Sequence, residues 1–383
     1  MKRILLWAAS LLFLCGILEA GARLIAHFAH EPSAKPLYLE LSQGYPKAQQ
    51  LIQDREAVRL QYHDYYIYSP APLRSSTVNF SDYFGARATP ASAADAEETI
   101  WAFGGSTMQN LEADDELSLA NQIAVALNQG GAKVRVRNFG SSGFQSTLEL
   151  IKFQTLLREV PPGDRPSIAI FYDGFNETQY GYYWGPAAMQ ADISLKLRDL
   201  VERQNLRLLA YLASELIAKH GVFWSKYVRP RLGLYEEPFP LAAQRGRSVA
   251  AYVTNVRMAA AICTALQIRC RFFLQPLVVT RSPLRGVEQQ VLASLEPEFV
   301  EFVRGFYRDA ARELQDQQGF FDLSHALDAE PEPQFFDFGH TSPYAGVTLG
   351  REMAQRIRST VGVMPAAPAQ TQETGSEVGD AGR

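Results

Sequence analysis

Cysteine is scarce in these 383 residues: there are three, Cys15, Cys263 and Cys270, and none forms a C-x-x-C pair. That excludes a disulfide-framework scaffold and a cysteine-ligated zinc module. We read Cys263 and Cys270 as two separate buried thiols, with a disulfide between them as the alternative in an oxidising compartment. An excess of positive charge is also missing. Lys and Arg number 37 against 41 Asp and Glu, a net charge of −4, which gives no electrostatic case for a nucleic-acid partner. Histidine clusters are absent too: His27 and His30 stand one helical turn apart, but no third ligand lies near them.

What is present is a globular composition, 47% hydrophobic and 20% charged, in a chain long enough to bury a sizeable core. At the amino terminus, Lys2 and Arg3 precede an uncharged run from Ile4 to Leu18 that ends at Glu19. A basic segment before an apolar one is an export signal. The run is shorter than the ~20 residues that cross a bilayer core, and tolerating Glu19 extends it through Ala22. We read residues 1–26 as an uncleaved signal anchor, with the amino terminus cytoplasmic and the rest of the chain periplasmic or extracellular. Cleavage at Ala20-Gly21-Ala22, which would give a secreted protein, is the alternative.

Residues 27–96 are polar and aromatic, read as a spacer followed by an extension packed on the domain. From 97 to 362 the pattern alternates strand and helix. Strands are expected at Thr99–Phe103, Lys133–Asn138, Ser167–Tyr172, Arg269–Leu274 and Gly319–Leu323. Helices are expected at Leu117–Leu127, Thr147–Leu157, Ser248–Leu266, Glu288–Gln317 and Ala345–Val361. Such alternation predicts an α/β fold, a three-layer α/β/α sandwich around a parallel sheet. Residues 180–247 are a long insertion, read as a helical cap with an amphipathic stretch at 197–218. Residues 363–383, rich in Ala, Pro, Gln and Gly, read as a disordered tail.

Four segment ends carry unusual residues. The first strand runs into FGGSTMQ (103–109), where Gly104 and Gly105 precede Ser106. The second ends in NFGSSG (138–143), the third in DGFNE (173–177), and DFGH (337–340) precedes the last helix. Each admits a plain reading as turn or cap. Together they have a chemical logic. A hydroxyl is a poor nucleophile until a base takes its proton, and histidine suits that role near neutral pH. A carboxylate three residues earlier, one helical turn away, can reach the imidazole Nδ1 and fix its tautomer. Acyl transfer also needs donors at the developing oxyanion, and the N–H groups of Ser106 and Gly143 with the Asn176 amide would supply three. Thr107 reads as a helix-start residue.

In this order and at these separations the four blocks resemble the SGNH (GDSL-type) hydrolases over roughly residues 97–362, in a membrane-anchored, exported form. The resemblance implies Ser106 as nucleophile, His340 as base, Asp337 as its orienter, and Ser106, Gly143 and Asn176 around the oxyanion. It implies no metal and no organic cofactor. Two positions depart from the pattern: Gly105 stands where many members carry aspartate, and Glu177 stands where aspartate often follows the asparagine. A second Asp-x-x-His, Asp322 to His325, is set aside because no Thr-Ser-Pro-Tyr-Ala-Gly and terminal helix follow it. The absence of G-x-S-x-G argues against the α/β-hydrolase fold.

Tyr180, Tyr182, Tyr183 and Trp184 follow the Asn block and could stack on sugar rings, or pack the cap against the core. An exported esterase with an aromatic rim points to O-acyl groups, above all O-acetyl groups, on an envelope or extracellular carbohydrate. An acyltransferase, a lipid esterase or thioesterase, and a non-catalytic polysaccharide-assembly scaffold remain the alternatives.

Overall fold

The structure is a computed structural model that describes residues 2–28, 45–185, 200–201, 203, 205–228 and 241–359. The tail at 363–383 and parts of the insertion lie outside the described residues. Helix α1 spans Lys2–Phe28, α2 spans Ala48–Ala57, and strands β1 (Leu60–His63) and β2 (Ile67–Pro70) form an antiparallel hairpin. Then come β3 (Glu98–Gly104), α3 (Ser106–Gln109), α4 (Leu119–Gln129), β4 (Val134–Asn138), α5 (Ser146–Glu159), β5 (Ile168–Asp173) and α6 (Phe175–Trp184). The remainder is α7 (Asn205–His220), α8 (Leu241–Ala265), β6 (Arg269–Leu274), α9 (Glu288–Ser294), α10 (Pro297–Leu314), β7 (Phe320–Asp322) and α11 (Ala345–Arg358).

Five strands make one parallel sheet in the order β4-β3-β5-β6-β7. The central strand β5, IAIFYD, is buried at every residue, as a strand covered on both faces must be. The edge strand β4, VRVRN, instead alternates buried and half-buried positions. Helix α4 packs on β4 and on α11, while α5 and α8 cover β3, β5 and β6. The chain leaves β3 for β4 and then returns to β5 on the other side of β3. The carboxyl ends of β3 and β5 therefore flank a topological switch point, where crevices open in sheets of this type.

The expected strands and helices are present, with one division. The apolar pattern over 288–317 is two helices, because Glu296 precedes Pro297 and is held extended at ψ 131. Pro297 then opens α10, where its missing N–H costs nothing. Cys263 and Cys270, expected as separate thiols, are joined in a disulfide that links the end of α8 to β6. Among the described residues no helix is long and apolar enough to cross a membrane, so the expected spanning segment is not seen there.

Part of the extension before β3 packs on the domain. Tyr45, Ala48, Leu51, Val78, Phe80 and Phe336 form a second apolar cluster. Tyr66 and Tyr68 pack with Phe144 and Leu148 in a third. Both clusters reach segments that follow sheet strands.

Candidate active site

Ser106 opens the short helix α3 directly after β3. Its Oγ lies 2.8 Å from His340 Nε2, and His340 Nδ1 lies 2.7 Å from Asp337 Oδ2. The expected helical turn around Asp337 is absent. Asp337 Oδ1 instead accepts the backbone N–H groups of Gly339 (2.8 Å) and His340 (2.7 Å), closing a tight turn on its own side chain. The outcome for the imidazole is the same, since one carboxylate oxygen shapes the turn and the other holds Nδ1. Phe175 and Phe336 flank the ring at centroid distances of 4.9 and 6.1 Å and limit its rotation.

Electrostatics follow from this packing. Burial alone would lower the His340 pKa, but the negative charges of Glu112 and Asp337, with the bond to Asp337, outweigh it and raise it to about 9. Burial alone would raise Asp337, yet the His340 charge and the bonds from His340 and Gly339 hold it below the ordinary carboxylate range.

The two glycines before Ser106 have a steric reason. A Cβ at Gly105 would stand 2.3 Å from Asn176 Nδ2 and 2.9 Å from the Phe144 carbonyl, closer than real Cβ atoms come. Position 105 can carry no side chain while Asn176 stays where it is, which accounts for glycine in place of the common aspartate. Gly143 sits at φ +78, a region that favours glycine, in the loop after β4. The Asn176 amide donates to the Phe144 carbonyl, and an amide nitrogen carries a second N–H. Among the described residues, neither the Ser106 N–H nor the Gly143 N–H donates to a protein acceptor.

Glu177 ties two of the loops together. Its carboxylate accepts the N–H of Gly174 (2.8 Å) and the N–H of Ser146 (2.7 Å), so the longer side chain brackets the Asn176 turn against the start of α5. Burial raises the pKa of Glu177 and of its neighbours Glu149 and Asp173, and lowers that of Lys152 to about 7. Lys152 Nζ donates to the Phe139 carbonyl (2.9 Å) and Ser141 Oγ (3.1 Å), within the glycine block.

Several supports had no visible signal in the sequence. Arg87 is buried and donates to Asp115 Oδ1 (2.9 Å) and to the carbonyls of Gln109 (2.6 Å) and Ala113 (2.7 Å), bracing the loop after α3. Gln109 Oε1 accepts the Ser142 N–H at 3.0 Å and so joins the serine and glycine blocks. Thr107, expected only as a helix-start residue, donates its hydroxyl to Gln275 Oε1 at 2.7 Å, across to the end of β6. Glu112 is buried with its carboxylate 3.3 Å from Arg55 of α2. Such residues are named by long-range contacts, which no local pattern reveals.

Two members of the aromatic run after Asn176 do not line a rim. Tyr180 and Tyr182 are buried, and Tyr182 donates to Glu296 Oε2 (2.9 Å) while its ring packs on Phe299 and Phe302. Tyr183 is exposed and stacks on Phe299, and the Trp184 side chain lies outside the described residues. The second Asp-x-x-His does not assemble: His325 is exposed and pairs with Asp328 at 2.9 Å, while Asp322 accepts the Ser324 N–H. Among the described residues there is no group of His, Cys, Asp and Glu able to hold a metal ion.

No protein-family profile and no curated protein sequence matches the chain. Solved structures do resemble it at low identity. One is Axe2, an acetylxylan esterase from Geobacillus stearothermophilus: 12% identity, 69% of this chain and 95% of that one covered, TM-score 0.38. Another is Est24, a carbohydrate acetylesterase from Sinorhizobium meliloti: 11% identity, 69% and 99% covered, TM-score 0.38. A third belongs to the lipolytic G-D-S-L family of Veillonella parvula: 10% identity, 69% and 99% covered, TM-score 0.39. At these values the likeness assigns no residue a role.

Proposed function

We propose that this protein is a serine esterase of the SGNH type that acts on O-acyl groups. The observation that carries the reading is the continuous chain from Ser106 Oγ through His340 to Asp337. In this mechanism Ser106 Oγ attacks the ester carbonyl as its proton passes to His340 Nε2. The carbonyl oxygen, now anionic, takes hydrogen bonds from the Ser106 and Gly143 N–H groups and the Asn176 amide. Collapse breaks the bond to the alcohol, which leaves with the proton from His340. Water then attacks the acyl-Ser106 ester with His340 as base, releasing the acid and restoring the hydroxyl.

The substrate proposed is an exported carbohydrate that carries the acyl group as an ester, and the acyl group is acetyl. The basic-then-apolar leader and the Cys263–Cys270 bridge both suit a protein on the oxidising side of a membrane. Association with that membrane through α1 belongs to the same proposal. No metal or organic cofactor takes part in the steps as written.

The test is 4-nitrophenyl acetate hydrolysis by the full chain beside Ser106→Ala and Asn176→Ala, followed by acetate release from O-acetylated polysaccharide. Ser106→Ala should lose on the order of 10⁴-fold or more in kcat. Asn176→Ala should lose about 10²–10³-fold. Equal turnover by wild type and Ser106→Ala would overturn the reading.

A further inference from the structure

Helix α7 is inside out. Among its described side chains the buried ones are polar or amphipathic, Tyr211 and Ser214, while Leu206, Leu209, Leu216 and Ile217 are 84%, 63%, 68% and 46% exposed. At about 100° per residue these four aliphatic side chains fall within one side of the helix. Single exposed leucines are ordinary on a protein surface, but a continuous stripe of them marks a surface that meets another apolar phase. Among the described residues, the contacts of α7 run chiefly to the turn that follows it, and the stripe stays exposed.

The position of that turn says what the other phase is. Val222 and Phe223 donate their backbone N–H groups to the Glu19 carboxylate of α1, at 2.8 and 2.9 Å. Glu19 is the residue at which the uncharged run Ile4–Leu18 ends. The end of α7 is thus fastened to α1 where its apolar run stops. Helix α1 presents an apolar surface of its own, with Phe13, Leu14 and Ile17 more than half exposed. The fastening turn supplies Phe223, Trp224 and Tyr227, and the Trp224 indole N–H donates back to Ser214 Oγ of α7 at 3.0 Å. Aromatic side chains at the edge of an apolar surface are the pattern of a membrane–water boundary.

We infer that the exposed stripe of α7 lies on a lipid bilayer, as an interfacial helix docked beside α1. Sixteen residues at 1.5 Å each make a helix of about 24 Å, short of the ~30 Å bilayer core, so α7 lies along the surface instead of crossing it. A second copy of the chain would have to cover the surfaces of α1 and α7 together, whereas a bilayer meets both without further contacts. The inference rests on the proposed membrane association of α1 but not on the esterase reading: it concerns where the domain sits, whatever Ser106 does.

The test uses the full chain in vesicles of phosphatidylethanolamine and phosphatidylglycerol. In a Cys15→Ser background, a nitroxide is placed by Leu209→Cys, by Leu216→Cys, or at the control Arg308→Cys on α10. These sites are exposed, and the cysteines of the Cys263–Cys270 bridge do not react with the label. Collision with oxygen, which concentrates in lipid, is compared with collision with a water-soluble nickel chelate. The inference predicts high oxygen and low nickel access at 209 and 216, and high nickel access at 308. Nickel access at 209 and 216 equal to that at 308 overturns it. Protection from both reagents also overturns it, because that is the mark of protein packing, as a second copy would give. A separate label from Leu14→Cys reports on α1 alone, so failure of the α1 association and failure at α7 are told apart.

Discussion

At the scale of single residues, Gly105 is the least expected determinant of the site. Its missing Cβ leaves the space that Asn176 Nδ2 occupies. Placing at 105 the aspartate common in similar serine blocks should therefore harm the proposed activity. Gly105→Asp and Gly105→Ala are expected to lower kcat by about 10²–10³-fold, the cost of one oxyanion donor. Gly105→Ala combined with Asn176→Ala should be little worse than either alone, since both would remove the same proposed donor. Additive losses in that cycle would show that Gly105 matters for another reason.

His340 supplies a second prediction at this scale. Its pKa is raised to about 9 in the folded protein, and only the neutral imidazole accepts the Ser106 proton. The value of kcat/KM should therefore climb with pH from 7 and level off above about 9. The stabilising effect of the charged imidazole has the opposite sense. It is fully present below the unfolded value near 6.5 and is lost as pH rises through about 9. Glu112→Gln removes one of the charges that raise His340, so the activity limb should move to lower pH with its plateau height kept. An unchanged limb would remove Glu112 from the account.

At the scale of elements, the site is an assembly of strand ends braced from the amino-terminal side. Arg87 holds the loop after α3, and Tyr68 of β2 donates its hydroxyl to the Ser142 carbonyl at 2.8 Å in the glycine block. Arg87→Ala would leave Asp115 buried without its main partner, at a cost of about 3–5 kcal/mol. Urea unfolding should show that loss as a lower midpoint, with activity falling at temperatures where the wild type is still folded. A loss under about 1 kcal/mol would mean that Arg87 is not the brace described.

The elements also show what local sequence can and cannot carry. Strand β5 was legible because a doubly covered strand reads as an unbroken apolar run, and α4, α5 and α11 because their apolar spacing follows the helical period. The helix break at Pro297 is a local rule that the longer apolar pattern masked. The burial of Tyr180 and Tyr182 was not legible, because an aromatic run looks the same whether it lines a cleft or packs on Phe299 and Phe302. The pairing of Cys263 with Cys270 likewise depends on how α8 meets β6, which spacing alone leaves open.

At the scale of the whole molecule, the five-stranded order explains why residues 234 positions apart in the chain, Ser106 and His340, meet. Ser106, Gly143 and Asn176 follow β3, β4 and β5, three neighbours in the sheet, and His340 arrives on the segment between β7 and α11. The four blocks were visible in the sequence because each has particular residue types at the end of a segment. Their supports, Arg87, Gln109, Gln275 and Glu112, were not visible, because each acts across the fold on a partner far away in the chain. The exposed stripe on α7 is a property of the folded molecule alone: the sequence shows an amphipathic helix, and only the fold shows that its apolar side faces outward.

The most direct test of the central claim is covalent trapping of the nucleophile. The full chain is treated with phenylmethanesulfonyl fluoride and digested, and the sulfonylated peptide is located by mass spectrometry, beside His340→Ala treated in the same way. A single sulfonyl group on Ser106, strongly reduced when His340 is replaced, is the result this account predicts. Labelling of another residue, or equal labelling of Ser106 with and without His340, would contradict it.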